Sequence, residues 1–355
     1  MKHRGKRFLA LAMMLAVLLA GCGGRDSGTA SAPPAESGEE IPLPASSSGD
    51  GAAGEAGAAD GDGTDDPAGT PVVWMTTDIS AQGLMSVYQA LQASPGGSVA
   101  VKLSTGEPGS NYLRPELIGE LVQDLDAAIV ECNTAYGGQR ASTAMHYQVA
   151  EDHGYTAIAP VDIMDEEGSM TLPVTGGTNL TENYVGSHFA DYDYFVVLSH
   201  FKGHTMAGYG GAIKNISIGI ASAHGKAHIH GVGVPEELWT ADHNSFLECM
   251  ADAAKSVVEY LGRRNMAFIN VANRLSVDCD CDAHPHEPEM ADIGVFASLD
   301  PVALDQACVD AVYASPDPGK AALIERMESR NGIHTVETAC ALGIGVREYE
   351  LIYLD

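Results

Sequence analysis

Residues 194–230 read YFVVLSHFKGHTMAGYGGAIKNISIGIASAHGKAHIH, and they carry the clearest indication of the fold in this sequence. Residues 194–200 form a short, mostly apolar run, which is typical of a strand buried on both faces. A glycine-rich turn follows, and residues 212–221 have the pattern of a helix. Because strand, turn and helix follow one another directly, the stretch predicts one unit of a parallel sheet covered by helices.

The same alternation of short apolar runs and helical patterns continues on both sides of this unit. Further strands are predicted at 72–75, 99–103, 127–131, 157–161, 267–271, 293–297 and 351–354. Further helices are predicted at 81–92, 115–125, 142–153, 244–262, 300–313 and 321–330. Asp300-Pro301 is a good helix start, because a carboxylate can cap the helix and proline suits its first position. We expect an α/β fold with a mostly parallel sheet and helices on both faces, in one or two lobes.

The amino-terminal segment has the pattern of an export signal. Basic residues precede an apolar run at 8–20 that is shorter than the roughly 20 residues needed to span a bilayer. Leu19-Ala20-Gly21-Cys22 resembles a bacterial lipobox, which implies a signal peptide at 1–21 and lipid on the Cys22 thiol. An uncleaved membrane anchor is the alternative. In both cases we expect a membrane-tethered protein at the outer face of the cytoplasmic membrane or in the periplasm.

Composition separates a tether from a domain. Residues 22–70 contain the lipidated cysteine and then a Gly, Ala, Ser, Pro and acid-rich segment, which predicts a disordered tether. Residues 71–355 remain for the α/β domain. The net charge of −29 argues against binding nucleic acid through general electrostatics. Six cysteines beyond Cys22 are too few for a disulfide-built fold, and Cys279 and Cys281 are too close to bridge without strain.

Polar and glycine-rich loops follow three of the predicted strands. Because ligands of parallel sheets bind beyond the carboxyl ends of the strands, these loops predict a pocket for a small molecule. Lys102, Arg114 and Arg140 are the candidates to pair with a substrate carboxylate. Gly210 and Gly211 would let backbone approach an anion at the start of the following helix. The alternative is that these glycines only permit close packing and that Lys214 is solvated.

Five of the thirteen histidines lie between His200 and His230. His200 and His204 would share one face of a helix and could bind one metal ion, although Gly203 also allows a loop that turns only one ring inward. The alternative for each is a histidine satisfied by backbone. Alternation would place His228 and His230 on one face of an extended segment, where they could bind a metal; a solvated basic loop is the alternative.

A second cluster, DCDCDAHPH, occupies residues 278–286. Cys279, Cys281, His284 and His286 could bind a divalent transition metal. Neighbouring carboxylates would raise the pKa of the thiols, so we expect this loop to supply metal ligands rather than a nucleophile. A structural turn with oxidisable thiols is the alternative. Neither a G-x-S-x-G elbow nor an H-E-x-x-H motif is present, so hydrolase functions have little support.

Four blocks resemble the family known as domain of unknown function 362. They are VKLSTGEPGSNYLRPE, VECNTAYGGQR, LSHFKGHTMAGYGGAIKNISIGIAS and CDCDAHPHEPEMADIGVFASLDPVALDQA, and they span most of residues 98–310. Members of the family are often labelled iron–sulfur proteins because a ferredoxin-type segment follows the third block. Here residues 231–262 contain only Cys249, so no 4Fe–4S cluster is expected.

The segment from His204 to Lys214, HTMAGYGGAIK, is also similar to a motif of the nickel-dependent lactate racemase family. His230 stands where the later histidine of that motif falls. The resemblance implies that Lys214 anchors a covalent nickel pincer cofactor. It implies that His204 and His230 act as metal ligand or as an acid–base pair.

Three functions follow from these patterns. The first is a metal- or cofactor-dependent enzyme acting on a small carboxylate or hydroxy acid, either a racemase/isomerase or an oxidoreductase, with His204, Lys214 and His230 as catalytic residues. The second is a non-catalytic, metal-handling lipoprotein that uses His200, His204, Cys279, Cys281, His284 and His286. The third is a redox-partner protein that has lost its iron–sulfur segment.

Overall fold

The computed structural model describes residues 69–355. The predicted signal peptide, the lipid on Cys22 and nearly all of the predicted tether lie outside the described residues. The strands are β1 (Val72–Thr76), β2 (Val99–Lys102), β3 (Ala128–Glu131), β4 (Val161–Ile163), β5 (Ser169–Pro173), β6 (Glu182–Gly186), β7 (Tyr194–His200), β8 (Lys202–His204), β9 (Gly208–Gly210), β10 (Met266–Ala272), β11 (Gly294–Ser298) and β12 (Glu350–Tyr353).

The α-helices are α1 (Ala81–Ala90), α2 (Pro115–Asp124), α3 (Thr143–Asp152), α4 (Ala212–Lys214), α5 (Ala223–His230), α6 (His243–Leu261), α7 (Pro301–Ala314), α8 (Lys320–Ser329) and α9 (Ile333–Ala341). A π-helical turn, Asn215–Gly219, continues directly from α4. Within residues 69–355, no helix is both long and apolar enough to span a membrane.

One eight-stranded sheet organises these elements, in the order β12-β1-β11-β10-β7-β2-β3-β4. Seven of its strands run in the same direction, whereas β11 is antiparallel to both of its neighbours. Two hairpins, β5-β6 and β8-β9, form separate two-stranded sheets. The predicted α/β class with a mostly parallel sheet is therefore confirmed.

Two hydrophobic clusters cover the two faces of the sheet. Alternate residues of β7 divide between them: Phe195 and Val197 pack in one cluster, and Val196 and Leu198 in the other. The first cluster also contains apolar residues of α6 and α7, and the second those of α1 and α2. Burial on both faces explains why β7 and β10 read as continuous apolar runs rather than as alternating ones.

The lone antiparallel strand determines where one loop lies. Parallel β10 ends at the carboxyl edge of the sheet, and antiparallel β11 starts at that same edge. The connection 273–293 therefore stays at this edge and does not cross a face. It brings the 278–286 cluster beside the loops that follow β2, β3 and β7.

Some sequence-based predictions need correction. Residues 223–230 form the helix α5 and not an extended segment, so His228 and His230 do not alternate on one face of a strand. Ser222 caps this helix by accepting a hydrogen bond from the Gly225 amide at 3.1 Å. The strand expected at 157–161 lies instead at β4. The predicted capping of α7 is confirmed, since the Asp300 carboxylate accepts from Val302 and Ala303.

Candidate functional site

A cavity of about 90 Å³ lies at the carboxyl ends of β2, β3 and β7, which are neighbours in the sheet. We call it the basic cavity. Its chemically active lining residues are Lys102, Lys202, Lys214, Lys226, Arg140, Glu131, Asp280, His200, Cys279 and Cys281. Five basic side chains thus face two carboxylates. This excess of positive charge contrasts with the net charge of −29 for the whole chain.

Lys102 is the last residue of β2 and is fully buried. Its ammonium contacts Glu131 at 3.0 Å and donates to the Leu103 carbonyl at 2.8 Å and to the Asn215 side chain at 3.0 Å. A Cβ atom at Gly219 would lie 2.8 Å from this ammonium, so only glycine fits there. All three hydrogen-bond donors of the ammonium are used within the protein. Lys102 is therefore held in place and contributes positive charge to the cavity wall.

Glu131 is the anionic centre on the β3 side of the cavity. Besides Lys102, it lies 3.6 Å from the Arg140 guanidinium, which also contacts Glu107 at 3.1 Å. Lys102, Lys226 and Arg140 act against the burial of this carboxylate and hold its pKa at about 2. Glu131 is therefore ionised at every physiological pH, and its charge is already matched by the protein.

Lys226 and Lys214 have no carboxylate partner among the described residues. The Lys226 ammonium donates to two backbone carbonyls, Cys132 at 3.3 Å and Ala221 at 2.7 Å. The Lys214 amine makes no hydrogen bond or ion pair within residues 69–355. Burial, together with the charges of Lys202 and Lys226, lowers its pKa to about 7. Near neutral pH this amine can therefore exist in both protonation states.

His200, at the end of β7, has both ring nitrogens engaged with acceptors. Nδ1 lies 3.0 Å from the Asp280 carboxylate and Nε2 lies 2.7 Å from the Asn273 carbonyl. Lys202 contacts the same carboxylate at 2.8 Å. Since both His200 nitrogens must donate, no lone pair remains for a metal ion, and the predicted role of His200 as a ligand does not fit this geometry.

His204 is buried and neutral. Its Nδ1 accepts hydrogen bonds from the backbone amides of Met206 and Ala207, at 3.1 and 2.9 Å, so the ring proton belongs on Nε2. Burial, with Lys214 and His230 as the largest charged contributors, holds the pKa of this imidazole well below its usual value. In this state His204 is a hydrogen-bond donor through Nε2.

His230 has the opposite tautomer. Its Nδ1 lies 2.7 Å from the Lys226 carbonyl and must donate to it, which leaves a lone pair on Nε2. The ring stacks on Phe246, with centroids 4.7 Å apart. Burial and the charges of Lys214 and Lys226 together lower its pKa to about 4, although the hydrogen bond to the Lys226 carbonyl opposes this shift. Lys214 thus influences the pKa of both His204 and His230. Neither histidine is among the lining residues of the basic cavity, however, and His230 lines a separate cavity with Trp239 and Phe246.

The start of α4 is not a free anion site. The Asp305 carboxylate accepts from the amides of Ala212 and Ile213, at 2.7 and 3.0 Å, and occupies the helix terminus. A Cβ atom at Gly211 would lie 2.4 Å from this carboxylate. Gly210 and Gly211 do line the basic cavity. At Gly211, however, the glycine makes room for the protein's own carboxylate, and no ligand is needed to explain it.

The 278–286 cluster divides between the inside and the outside. Cys279 and Cys281 line the cavity and are joined by a disulfide, although their close spacing in the sequence predicted that a bridge between them would be strained. His284 and His286 are exposed, and His286 pairs with Asp278 on the surface. The four predicted ligands of this loop therefore do not converge on one point.

Arg114 also lies apart from the cavity lining. Its guanidinium stacks over the ring of Tyr112, 3.7 Å from the ring centroid, on the segment between β2 and α2. Of the three predicted carboxylate-binding residues, Lys102 and Arg140 line the basic cavity and Arg114 does not.

Sequence reasoning missed four charged residues of the cavity, namely Glu131, Lys202, Lys226 and Asp280. Each of them lies in one of the polar segments described above, where the histidines and cysteines gave the more obvious indication of a site. A signal was available: Glu131 follows three apolar residues at a strand end, where burial requires a partner. Behind it, His146 contacts Thr105 at 2.7 Å, and its pKa is lowered to about 3, mainly by burial.

Two examples illustrate the solved structures that are similar to this chain. The lactate racemase apoprotein from Thermoanaerobacterium thermosaccharolyticum is 13% identical, with a TM-score of 0.37, and the match covers 79% of this chain and 82% of that one. A structural-genomics target from Thermotoga maritima is 12% identical, with a TM-score of 0.38; the match covers 71% of this chain and 58% of that chain's length. No curated protein sequence matches.

The sequence profile of domain of unknown function DUF362 matches residues 99–310, which contain β2 to β11 and the start of α7. The matched region includes the lining of the basic cavity. It agrees with the four blocks from which this family was predicted. The chain therefore belongs to the DUF362 family.

Proposed function

We propose that this protein is an enzyme that binds a small carboxylate in the basic cavity. It would remove a proton from this substrate and return one to it, as a racemase or isomerase does. The observation that carries the proposal is the Lys214 amine, which lines the cavity without a hydrogen bond or ion pair among the described residues. Lys226 beside it also lacks a carboxylate partner. An anionic ligand would complete the charge balance that Glu131 and Asp280 leave unfinished.

The protonation states suit proton transfer near neutral pH. General acid–base groups work best when their pKa lies near the working pH, and the pKa of Lys214 is about 7. His230 is neutral at that pH and offers a lone pair on Nε2, while His204 offers a proton on Nε2. The three groups therefore include a donor, an acceptor and an amine that can change its charge, and the amine influences the pKa of both rings.

The donor set fits a lysine-anchored cofactor better than a metal ion held by the protein alone. Lys214 is unpaired and half-buried, so it is open to covalent attachment, and His230 could supply one further ligand. Such a group would supply a metal centre acting as a Lewis acid. A site made of His200, Cys279 and Cys281 does not fit, because the His200 nitrogens both donate and the two sulfurs are bonded to each other.

Binding is tested first by thermal unfolding with lactate, pyruvate and inorganic phosphate as probes. A ligand at about 100 times its Kd adds about 2.7 kcal/mol to the unfolding free energy. We expect stabilisation by a carboxylate that weakens as pH rises through about 7, because the Lys214 ammonium loses its proton there. Lys214→Met should abolish it, and Lys255→Met, on a surface pair with Glu259, should retain it.

Proton transfer is tested by exchange of the C2 hydrogen of 2-hydroxy acids with deuterium in D₂O, followed by NMR. We expect exchange in the wild-type protein, and its loss in Lys214→Met and His230→Phe. Absence of binding by every small carboxylate would refute the proposal, and so would binding or exchange that Lys214→Met leaves unchanged.

We also propose that the enzyme works outside the cytoplasm, held by lipid on Cys22. The support is the lipobox-like Leu19-Ala20-Gly21-Cys22 after a basic and apolar segment. Cys22→Ala should release the protein from the membrane fraction of a bacterial host, and incorporation of labelled lipid should stop. Unchanged membrane association in that variant would contradict the lipid anchor.

A further inference from the structure

We propose that the Cys279–Cys281 disulfide is redox-active and that it exchanges with small, carboxylate-bearing thiols bound in the basic cavity. This inference rests on the proposed function, because the carboxylate would occupy the same basic cavity. It adds a substrate class and a second chemistry, thiol–disulfide exchange, to the site.

The position of the two sulfurs supports attack from within the cavity. Both cysteines line it together with Lys202 and Lys214. Cys279 is 7% exposed, whereas Cys281 is half-buried. An incoming thiolate therefore reaches the Cys281 sulfur, and a carboxylate on the same molecule would face the lysines. Attack on Cys281 makes Cys279 the leaving group.

The surroundings of Cys279 favour its departure as a thiolate. The backbone amide of Cys281 donates to the Cys279 sulfur at 3.3 Å. A ring nitrogen of His204 lies within 4.8 Å of both sulfurs. Hydrogen-bond donors and nearby cations stabilise negative charge on sulfur, which makes it a better leaving group.

Two of the three carboxylates among residues 278–286, Asp278 and Asp280, do not oppose this charge. Asp280 is bound by Lys202 at 2.8 Å and by His200 at 3.0 Å. Asp278 is bound by Arg326 at 3.0 Å and by His286. The sequence suggested that these acids would disfavour a thiolate. In the folded chain their charge is already matched by basic side chains.

The exchange is a two-electron step with defined products. The thiolate of a first thiol molecule forms a bond to Cys281 Sγ, the Cys279–Cys281 bond breaks, and Cys279 leaves as a thiolate. A second thiol molecule then attacks the mixed disulfide and releases Cys281. The protein gains two electrons, the two thiols are oxidised to their disulfide, and their protons pass to Cys279 and Cys281.

A metal ion is a weaker occupant for the same residues. His204, Cys279 and Cys281 lie close enough to share one ion. The basic side chains around them, Lys202 and Lys214 among them, repel a cation and attract an anion. The His204 Nδ1 also accepts two backbone amides, which leaves the proton on Nε2 in place of a lone pair.

The test compares three thiols on the folded, non-denatured protein: 3-mercaptopropionate, 2-mercaptoethanol and cysteamine, with dithiothreitol as the strong reductant. Reduced cysteines are trapped with N-ethylmaleimide and located by peptide mass. We expect new labelling at Cys279 and Cys281, and reduction by 3-mercaptopropionate at least about tenfold faster than by cysteamine at equal thiolate concentration. That preference should shrink in Lys214→Met and persist in Lys255→Met.

Single variants test the direction of attack. With glutathione disulfide, the free Cys281 of Cys279→Ser should form a mixed disulfide about tenfold faster than the free Cys279 of Cys281→Ser. Resistance of the pair to dithiothreitol while carboxylates still bind would overturn this inference and leave the proposed function standing. Reduction at equal rates by all three thiols would overturn the substrate class. If no carboxylate binds, the proposed function is refuted, and reduction by dithiothreitol still shows separately whether the disulfide is redox-active. Stoichiometric zinc retained by the reduced pair would favour the metal site.

Discussion

The two segments richest in chemical side chains, residues 200–230 and residues 278–286, have different relations to the same cavity. In the first, His204 and His230 are buried, neutral, and held in opposite tautomers by backbone contacts. In the second, Asp280 and its flanking cysteines form part of the wall, while His284 and His286 face solvent. A high histidine content therefore does not locate a site, because the hydrogen-bond partners of each ring nitrogen determine what the ring can do.

The largest expected effect concerns the carboxylate that links the two segments. Asp280→Asn leaves His200 and Lys202 buried without their anion, and we expect the free energy of unfolding to fall by about 3–5 kcal/mol. Urea unfolding measures it. Asp282→Asn, two residues along the same loop, should change stability by less than about 0.5 kcal/mol. Equal losses in the two variants would show that the buried ion pairs do not distinguish these positions.

Lys214→Met, in the first segment, should increase the free energy of unfolding of the protein near and below neutral pH. The pKa of this amine is about 7 in the folded chain against an ordinary value of 10.5, so the unfolded chain binds more protons between these values. The free energy of unfolding of the wild-type protein therefore rises between about pH 7 and pH 10.5. Below pH 7 the folded chain bears the full cost of burying a charged Lys214 ammonium. We expect the variant to be more stable by about 1–4 kcal/mol at pH 6, and the gap to narrow as pH rises. If the difference in unfolding free energy between the two proteins, measured with urea, did not change with pH, the lowered pKa of Lys214 would be refuted.

Histidines of the two segments should respond to pH with opposite signs. The pKa of His230 is lowered to about 4, because the folded chain favours the neutral ring. The stability that this ring contributes is therefore lost as pH falls from 6.5 towards 4, by roughly 1–3 kcal/mol. His230→Phe keeps the stacking on Phe246 and should remove this loss. Asp278 raises the pKa of exposed His286, whose smaller contribution is present at low pH and is lost as pH rises above 6.5. NMR titration of the ring protons measures both; similar titration midpoints would refute the contrast.

Much of the fold could be predicted because it depends on patterns local to the chain. Continuous apolar runs predicted β7 and β10, and Asp300-Pro301 predicted the start of α7. Residues 223–230 were predicted wrongly because alternate histidines suggested a strand. In the structure, the Ser222 cap and the turn before it begin a helix there.

The candidate site could be predicted less well because its charges pair across long sequence separations. Lys102 meets Glu131, and Lys202 meets Asp280, only after the sheet has formed. The sequence indicated which strand ends carry polar loops, and three of those ends are neighbours. It could not show that Asp305 fills the start of α4, because 93 residues separate this carboxylate from the Ala212 amide.

The reversed direction of β11 has a consequence for how this site can change. The loop between β10 and β11 leaves and re-enters the sheet at one edge, so a change in its length need not move any strand or crossover helix, provided that Asp280 still pairs with His200 and Lys202. The lysines come from other strands and from helices, and they would stay in place. Transplanting residues 273–293 into a relative that has the same strand order and the partners of Asp280 is therefore a direct route to adding or removing the sulfur chemistry of this loop.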